Sequence, residues 1–218
     1  MRAEYLRRVK TYALHNDGFH NNYNGATLYR FPLCEVPKQS TSDEQNLRDG
    51  DVINVSTVDM EWHFSSSSSG PLFVRWALLV PKDCGASVTL PEADFFRGYG
   101  TSRAVDFSTL LSAWDRHERL LNDDIFEVVG MGKFNLHGLY EGGLSGPELG
   151  SNVSAQKEFR KSIPIYRQFK FDDDGTIQGT QPWFCYWMDS WNRQAGSPAL
   201  LSVCAIARMT RVNFIDIK

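Results

Sequence analysis

The sequence predicts an all-β fold, because polar stretches separate strand-like segments along the whole chain of 218 residues. The last segment, residues 200–217 (LLSVCAIARMTRVNFIDI), contains neither glycine nor proline and predicts a long closing strand buried in a sheet. Apolar residues at helical spacing occur only within residues 107–121, which predicts one short helix. A chain that ends inside its own core favours a closed β shell.

The first predicted strands flank a polar loop. Residues 27–35 form a candidate strand, and residues 37–50 form a loop that opens with a proline and closes with an Asp-Gly turn. In residues 51–64 apolar and polar side chains alternate, but the alternation slips by one residue near Ser56-Thr57. Since successive side chains in a strand point to opposite faces, a β-bulge there returns both halves of the strand to one core.

The middle of the chain predicts a central strand and two hairpins. Residues 72–80 (LFVRWALLV) are apolar on both faces, which is typical of a strand covered on both sides. The serine run before them, residues 65–70, predicts a flexible hairpin loop. Residues 125–129 and 133–137 predict a second hairpin, joined by a Gly-Met-Gly turn.

Residues 162–171, residues 182–188 and the closing strand complete a set of about eight strands, joined by loops of very unequal length. Up-and-down barrels have short, regular turns, so this pattern favours an eight-stranded single jelly roll: an antiparallel β-sandwich with long loops and one short helix. One domain over residues 1–218 accommodates it, because all-β domains often run to about 200–250 residues.

Composition indicates a globular protein with a sizeable core, since 42% of the residues are hydrophobic and 13% aromatic. No apolar run approaches the roughly 20 residues of a membrane span, and the start lacks the apolar region of a signal peptide, so we expect an intracellular protein with no membrane partner. Cys34, Cys84, Cys185 and Cys204 are widely spaced without a CxxC pair, which favours buried free thiols over disulfides.

Charge is unevenly distributed although the net charge is only −3. Cations concentrate in residues 1–12 and residues 157–170, each with a single acid. Acids gather instead at residues 43–44, 123–124 and 172–174, and the last of these, followed by Gly175, predicts a polar turn. A fold that separates these segments has a basic side and an acidic side.

Six segments follow one another in a characteristic order. They are residues 50–53 (GDVI), 73–83 (FVRWALLVPKD), 124–129 (DIFEVV) with 133–136 (KFNL), 157–165 (KEFRKSIPI), 183–188 (WFCYWM) and 207–216 (ARMTRVNFID). Their succession resembles the capsid proteins of small circular single-stranded DNA viruses, of the circovirus and geminivirus type. The resemblance extends over residues 51–216 and rests on the order and character of the segments.

The resemblance implies a structural protein: a homo-oligomer in which sixty copies close into a small icosahedral shell around single-stranded nucleic acid, DNA in that family. The expected location is the virion, and the host nucleus or cytoplasm during assembly. Members usually carry a long basic N-terminal arm inside the shell, whereas here only residues 1–12 are mildly basic.

Because counterion release from phosphates drives sequence-independent binding, Arg2, Arg7, Arg8 and Lys10 are the candidate nucleic-acid contacts, and solvated terminal charges are the alternative. For the cations of residues 157–170 we favour exposure to solvent. Contacts between copies are expected in the long loops, where aromatic and arginine side chains dominate binding energy. The candidate anchors are Phe95, Phe96, Arg97, Tyr99, Trp191 and Arg193.

Other chemistry finds little support in the sequence. The five histidines are scattered and no nucleophile or cofactor motif occurs, so we expect no metal, no cofactor and no enzymatic activity. Two alternatives stay open. Asp59 and Glu61 lie on one strand face and would suit a sandwich glycosidase, although alternating acids on a solvent face are the simpler interpretation. An exposed platform of Trp183, Trp187 or Trp191 would mark a carbohydrate-binding module.

Two arginines in the closing strand pose a structural question. Arg208 and Arg211 are three residues apart and therefore point to opposite faces of the sheet. The one on the core side is expected to require a carboxylate, such as Asp216 or an acid on a neighbouring strand.

Overall fold

The computed structural model describes residues 9–21, 27–40, 46–66, 72–82, 90–98, 104–108, 113–136, 155–190 and 203–217. The elements in this part of the chain are β1 (Lys10–Asn21), β2 (Tyr29–Pro32), β3 (Val52–Ser66), β4 (Leu72–Pro81), β5 (Phe96–Arg97), β6 (Ala104–Val105), α1 (Ala113–Glu118), β7 (Phe126–Leu136), β8 (Ala155–Phe171), β9 (Ile177–Gln178), β10 (Trp183–Ser190) and β11 (Val203–Asp216). Among the described helices none is both long and apolar enough to cross a lipid bilayer.

Eight strands and the two-residue β9 build two antiparallel sheets. The first sheet has the order β1-β11-β3-β8-β9, and the second has the order β2-β10-β4-β7. The pairs β1 with β11, β2 with β10, β3 with β8 and β4 with β7 are those of one long hairpin ribbon. Rolling up that ribbon places β11 beside β3 and β10 beside β4. This connectivity is a jelly roll, so the predicted fold class is confirmed.

The inner faces of the two sheets enclose an aromatic core, which we call the sandwich core. Trp62 and Phe64 project from the first sheet and Phe184 and Tyr186 from the second, and each is at most 1% exposed. The ring centroids of Trp62 and Phe184 lie 4.3 Å apart, and those of Phe64 and Tyr186 lie 5.5 Å apart. Each such side chain removes about 150–250 Å² from water, so this cluster is a large source of hydrophobic stabilisation.

The other face of the second sheet is covered by the chain between β4 and β7. Phe95, Phe96 and Phe107 from this connection pack on Trp187 of β10, with ring centroids 5.7, 5.8 and 5.7 Å from it, and form what we call the outer cluster. β4 is apolar on both faces because one face meets the sandwich core and the other meets the outer cluster. The central strand predicted at residues 72–80 is therefore confirmed.

Helix α1 is held on this sheet through its backbone carbonyl groups. Arg75 of β4 donates hydrogen bonds to the carbonyl oxygens of Arg116 (3.1 Å) and Arg119 (2.5 Å), and the indole N–H of Trp187 donates to Arg116 O (3.1 Å). Arg116 also forms a buried ion pair with Asp189, with 2.6 Å between Nη2 and Oδ1. A helix of six residues is too short to be stable alone, so these contacts maintain it. The predicted helix is confirmed at a shorter length.

The irregularity predicted in β3 is a β-bulge at Ser56. Thr57 pairs with Asn213 and Val55 pairs with Phe214, which leaves Ser56 without an opposite residue on β11. The register against β8 also shifts at this point. The apolar residues on both sides of the bulge are buried in the sandwich core: Ile53, Val55, Val58, Met60, Trp62 and Phe64.

The closing strand β11 crosses the interior of the first sheet. It pairs with β1 on one side and with β3 on the other. Ile206, Val212 and Phe214 are at most 3% exposed. The long terminal strand predicted from residues 200–217 is therefore confirmed over Val203–Asp216.

The hairpin predicted around the Gly-Met-Gly segment is wrong, because β7 is one continuous strand that pairs with β4 along its length. A Cβ atom at Gly132 would lie 2.8 Å from three atoms of the Trp76 indole. A Cβ atom at Gly130 would lie 2.8 Å from Lys161 Nζ. The two glycines make room for side chains of β4 and β8 and do not form a turn.

Two further predictions need correction. β3 and β4 belong to different sheets, so the connection that contains residues 65–70 crosses between sheets and is not a hairpin loop. β1 lies where the sequence predicts no strand, because its segment KTYALHNDGFHN is polar and contains a glycine.

The prediction of buried free thiols is confirmed for Cys34 and Cys185, and burial raises the pKa of both. Cys84 and the Cys204 side chain lie outside the described part.

Candidate nucleic-acid interface and assembly surfaces

The predicted site residues fall into two groups. Six of them lie outside the described residues, so their roles stay predictions: Arg2, Arg7, Arg8, Tyr99, Trp191 and Arg193. The other four lie in the described part: Lys10 at the start of β1, and Phe95, Phe96 and Arg97 in the connection between β4 and β7.

Lys10 forms contacts within its own subunit. Its ammonium lies 2.8 Å from Asp49 Oδ1 and 2.7 Å from Asp216 Oδ2, and it donates a hydrogen bond to the carbonyl oxygen of Leu47 at 2.8 Å. Burial by itself lowers the pKa of Lys10, but the hydrogen bonds to Asp216 and Asp49 outweigh it and the pKa is raised. Two carboxylates neutralise this charge, so Lys10 ties β1 to the end of β11 and the structure does not support it as a phosphate contact.

Phe95 and Phe96 are completely buried in the outer cluster, at 0% exposure. The prediction that they anchor a contact between copies is therefore wrong, because their rings cover the face of their own second sheet. Arg97 remains exposed and pairs with Asp123. An exposed ion pair contributes only about 0–1 kcal/mol, so Arg97 can exchange this partner for one on another molecule.

Strand β8 forms a long basic edge of the first sheet. β9 pairs only with Lys170 and Phe171, so residues 155–169 have no strand beyond them among the described residues. Five cations lie along β8 with Glu158 as its one acid: Lys157, Arg160, Lys161, Arg167 and Lys170. Four of them are exposed and Lys161 is half-buried, which agrees with the expected solvent exposure.

The two arginines in this row are paired with acids. Arg160 contacts Glu61 at 3.0 Å and Glu158 at 2.6 Å. Arg167 contacts Glu127 of β7 at 3.2 Å and bridges the two sheets. These pairs hold the arginine side chains across neighbouring strands.

The three lysines of β8 form no ion pair with any residue that the structure describes. Lys157 and Lys170 extend into solvent. Lys161 lies with its ammonium 5.1 Å from the ring centre of Trp76, above the space left by Gly130. This cation–π contact leaves the charge of the ammonium uncompensated. Lys157 and Lys161 lie four residues apart on one face of the strand, and two neighbouring uncompensated ammonium groups attract phosphates.

The same edge is poorly suited to pairing with another strand. Pro164 interrupts the row of backbone donors. Next to it the register against β3 shifts, and Tyr166 adopts a φ of 47° with its side chain 75% exposed. Lysines, prolines and bulges are the features by which natural edge strands avoid strand addition. The β8 edge is therefore built for contacts through side chains.

An acidic turn follows the opposite end of β8. The carboxylates of residues 172–174 are all exposed, and Gly175, with a φ of 87°, closes the turn. Fifteen steps along an extended strand place the acidic turn on the order of 45 Å from Lys157. The predicted polar turn is confirmed, and the fold separates the acids from the lysines at the start of β8.

The residues predicted to serve the two alternative functions, a carbohydrate platform and a glycosidase carboxylate pair, have other surroundings in the structure. Trp183 and Trp187 are 8% and 1% exposed, so the carbohydrate platform predicted from them is wrong, and Trp191 lies outside the described residues. Asp59 accepts hydrogen bonds from Ser162 (2.6 Å) and Asn213 (2.8 Å) on the outer face of the first sheet. Glu61 pairs with Arg160 on the same face. Both acids serve the polar network of that face.

Arg208 and Arg211 point to opposite faces, as predicted. Arg211 lies on the outer face, 4.0 Å from Glu61. Arg208 lies on the core side, with its guanidinium 3.8 Å from the ring centre of Phe31. The expectation that it pairs with a carboxylate, either Asp216 or an acid on a neighbouring strand, is wrong: Asp216 binds Lys10, and Arg208 forms no ion pair with an acid in the described part of the chain. An aromatic face supports the guanidinium instead.

His117 is a buried histidine whose pKa is lowered. It packs against Phe73, with ring centroids 5.3 Å apart. Burial lowers its pKa first, Lys133 and Arg75 lower it further, and Glu118 opposes them. Within the described ranges no group of three or more His, Cys, Asp or Glu side chains is arranged to hold a metal ion.

Sequence reasoning missed the support that holds Lys161. The signal was present as two glycines spaced by two in a β-rich segment, since that spacing puts both on one face of a strand and opens a channel for large neighbours. No protein-family model matches this chain, and a search of curated proteins finds no match.

Proposed function

We propose that this chain is a capsid subunit that self-assembles into a closed shell around single-stranded nucleic acid, as in the circovirus and geminivirus type. The observation that carries the proposal is the position of the six segments on which the resemblance rests. Each of them overlaps a strand of the jelly roll, namely β3, β4, β7, β8, β10 and β11, although residues 50–53 share only Val52 and Ile53 with β3. The jelly-roll order of these strands supports the proposal.

The architecture suits a wall element. Both faces of the second sheet are packed, one against the sandwich core and the other against the outer cluster, so the subunit is rigid without a partner. The outer face of the first sheet carries charged side chains that pair with one another, such as Arg160 with Glu61. A rigid subunit of this kind closes into a shell when its contacts with neighbours obey point symmetry.

The nucleic-acid role rests on the β8 edge together with the N-terminal arginines. Lys157, Lys161 and Lys170 have no ion-pair partner among the described residues, so phosphate binding costs no existing ion pair. Each phosphate that a cation neutralises on a single strand contributes about 0.7 to the slope of log K against log salt. The binding is expected to be independent of base sequence.

Assembly is tested on the purified full chain by light scattering after size exclusion and by electron microscopy. The expected result is closed particles of uniform diameter that protect nucleic acid from nuclease. A monomer that persists at high protein concentration, over a range of salt and pH and with single-stranded DNA present, contradicts the proposal.

The nucleic-acid surface is tested separately with a Lys157→Gln/Lys161→Gln double variant. Anisotropy of a labelled oligodeoxythymidine, measured against salt, is expected to show a slope smaller by about 1.4 than that of the unaltered protein. Lys82→Gln is the matched control, because Lys82 is an exposed lysine that follows β4 and its ammonium donates a hydrogen bond to Asp123 O. An unchanged slope in the double variant would remove β8 from the interface. A reduced slope after replacement of the three N-terminal arginines would place the contacts there.

A further inference from the structure

A groove opens between the edges of the two sheets. It lies between β1 of the first sheet and β2 of the second and has a volume of about 570 Å³. Its walls are mostly apolar, with Tyr12, Leu14, Phe31 and Val212 among them. Leu14 is 41% exposed, although the neighbouring side chains on this face of the sheet are buried or half-buried. The groove is an accessible apolar cleft at the margin of the sandwich core.

Arg208 is the unusual member of this lining. Its half-buried guanidinium lies over Phe31 at 3.8 Å and is 5.6 Å from the ring centre of Trp62. Burial lowers the pKa of the guanidinium. It donates no hydrogen bond to any described residue, although a guanidinium carries five N–H donors. A charge that is partly buried normally has a hydrogen-bonded partner. The Arg208 guanidinium therefore retains free N–H donors that a ligand in the groove can use.

The other two cations that line the groove are paired with a carboxylate, and the remaining charged groups of the lining are acids. Lys38 and Arg48 both contact Asp51, at 2.9 and 3.2 Å. Glu35 and the acidic turn also line the groove. These carboxylates repel a dianionic phosphate or a polyanion more strongly than a single negative charge, so a monoanion is the ligand that Arg208 can attract into the groove. A planar oxyanion satisfies a guanidinium through two parallel hydrogen bonds, and the apolar walls favour a hydrocarbon or aromatic body beside it.

We propose that this groove binds an organic monocarboxylate with an apolar body, its carboxylate on the Arg208 guanidinium and its body against Phe31 and Leu14. The site is independent of the proposed capsid function, since it uses none of the β8 cations. The groove volume of about 570 Å³ lies in the range of small-molecule sites, so the occupant is a free small acid and not a segment of a second copy of this chain.

The test titrates the full-length protein with 3-phenylpropionate and octanoate by calorimetry and by thermal shift. The uncharged 3-phenylpropanamide, phenyl phosphate and deoxyadenosine monophosphate are the comparison probes. The expected result is saturable binding of the two carboxylates, at least tenfold tighter than that of each comparison probe. Equal or tighter binding of the amide, the phosphate ester or the nucleotide overturns the proposal.

Variants locate the site. Arg208→Met keeps packing on Phe31 but removes the charge, and it is expected to weaken carboxylate binding at least tenfold. Arg211→Met is the matched control, because it lies on the same strand but faces outward beside Glu61, and it should bind as the unaltered protein does. If Arg208→Met does not fold, Leu14→Trp fills the groove from its exposed rim and should abolish binding while Arg208 stays in place. Full binding by either groove variant refutes the site.

Size exclusion during the same titration checks that the occupant is a free acid. The expected result is saturable binding without any change in oligomeric state. If millimolar 3-phenylpropionate instead competes with self-association, and Arg208→Met weakens self-association at least tenfold whereas Arg211→Met does not, a second copy fills the groove and the proposal is overturned.

Discussion

The glycines of β7 allow a sharp test of how the two sheets pack. Gly132 and Gly130 both lie within a continuous strand, and neither has a positive φ, so an alanine fits the backbone at both positions. The added methyl group meets different neighbours at the two sites. At Gly132 it lies 2.8 Å from three atoms of the Trp76 indole, and at Gly130 it lies 2.8 Å from the end of the Lys161 side chain.

The expected magnitudes follow from what each neighbour can do. The Trp76 ring is held beside Phe159 and Phe184, at centroid distances of 4.7 and 6.3 Å, so it cannot move without disturbing the sandwich core. Overpacking of this kind costs about 1–3 kcal/mol, and replacing a glycine returns about 0.4–1 kcal/mol through the unfolded chain. Gly132→Ala should therefore lower the free energy of unfolding by about 1–2 kcal/mol. Gly130→Ala should raise it by about 0.5 kcal/mol, because the flexible ammonium of Lys161 moves aside.

The assay is denaturant and thermal unfolding of the unassembled subunit, followed by tryptophan fluorescence. The two alanine variants should differ in Tm by about 5 °C, since each kcal/mol shifts Tm by about 2–4 °C in a domain of this size. In a Trp76→Leu background, Gly132→Ala should lose its cost, because the smaller side chain no longer meets the methyl group. Equal stability of Gly132→Ala and Gly130→Ala, or an unchanged cost of Gly132→Ala beside Leu at position 76, refutes the close approach of the indole.

Three further predictions concern buried polar groups. The pKa of His117 is lower in the folded chain than its ordinary 6.5, so the folded state binds fewer protons and stability should fall as the pH drops below 6.5. His117→Gln should flatten this part of a pH series of unfolding free energies, and an equal slope in both proteins would be inconsistent with it. Asp189→Asn leaves the buried Arg116 without its carboxylate and should cost about 3–5 kcal/mol, whereas joint replacement of both residues by apolar ones should cost much less. Equal losses in the single and double variants would contradict that reasoning. Cys34 and Cys185 should resist iodoacetamide at pH 8 in the native protein and react after unfolding, because burial raises the pKa of both thiols and shields them. Peptide mapping that finds either one labelled without denaturant would disprove it.

Local alternation predicted more than the positions of strands. The slip of one residue at Ser56 predicted a bulge, and the bulge exists because only an extra residue keeps Val55 and Val58 on the same buried face. The two-sided apolar run of β4 likewise predicted a strand covered on both faces. Such predictions succeed because the side-chain period of a strand is a property of the backbone.

Turn chemistry predicted β7 wrongly because glycine has two uses. The Gly-Met-Gly segment has the composition of a tight turn, but here the missing Cβ atoms accommodate Trp76 and Lys161 from other strands. Nothing within the segment distinguishes these uses, since the deciding atoms lie far away in the chain. β1 was unrecognisable for a related reason: its polar residues become a strand through pairing with β11.

For the candidate sites too, the sequence predicted the residue types but not the neighbours of each side chain. The sequence places both Lys10 and Lys161 in basic segments. In the structure Asp49 and Asp216 neutralise Lys10. Lys161 instead lies over an aromatic ring and keeps its charge. Aromatic content marked Phe95 and Phe96 as interface anchors, but they cover their own sheet. Pairing and burial depend on neighbours that folding brings together.

The sequence by itself determined the all-β class, most of the long strands and the face that each of those strands buries, because these follow from periodicity and local composition. It also determined that Arg208 and Arg211 face opposite ways, since an odd spacing on a strand has no other outcome. Only the tertiary structure decided which of the two points inward, that Phe31 rather than an acid supports it, and that a groove lies beside it. The physical reason is that strand order and sheet stacking arise from contacts between residues distant in the chain, and those contacts select the neighbours of every side chain.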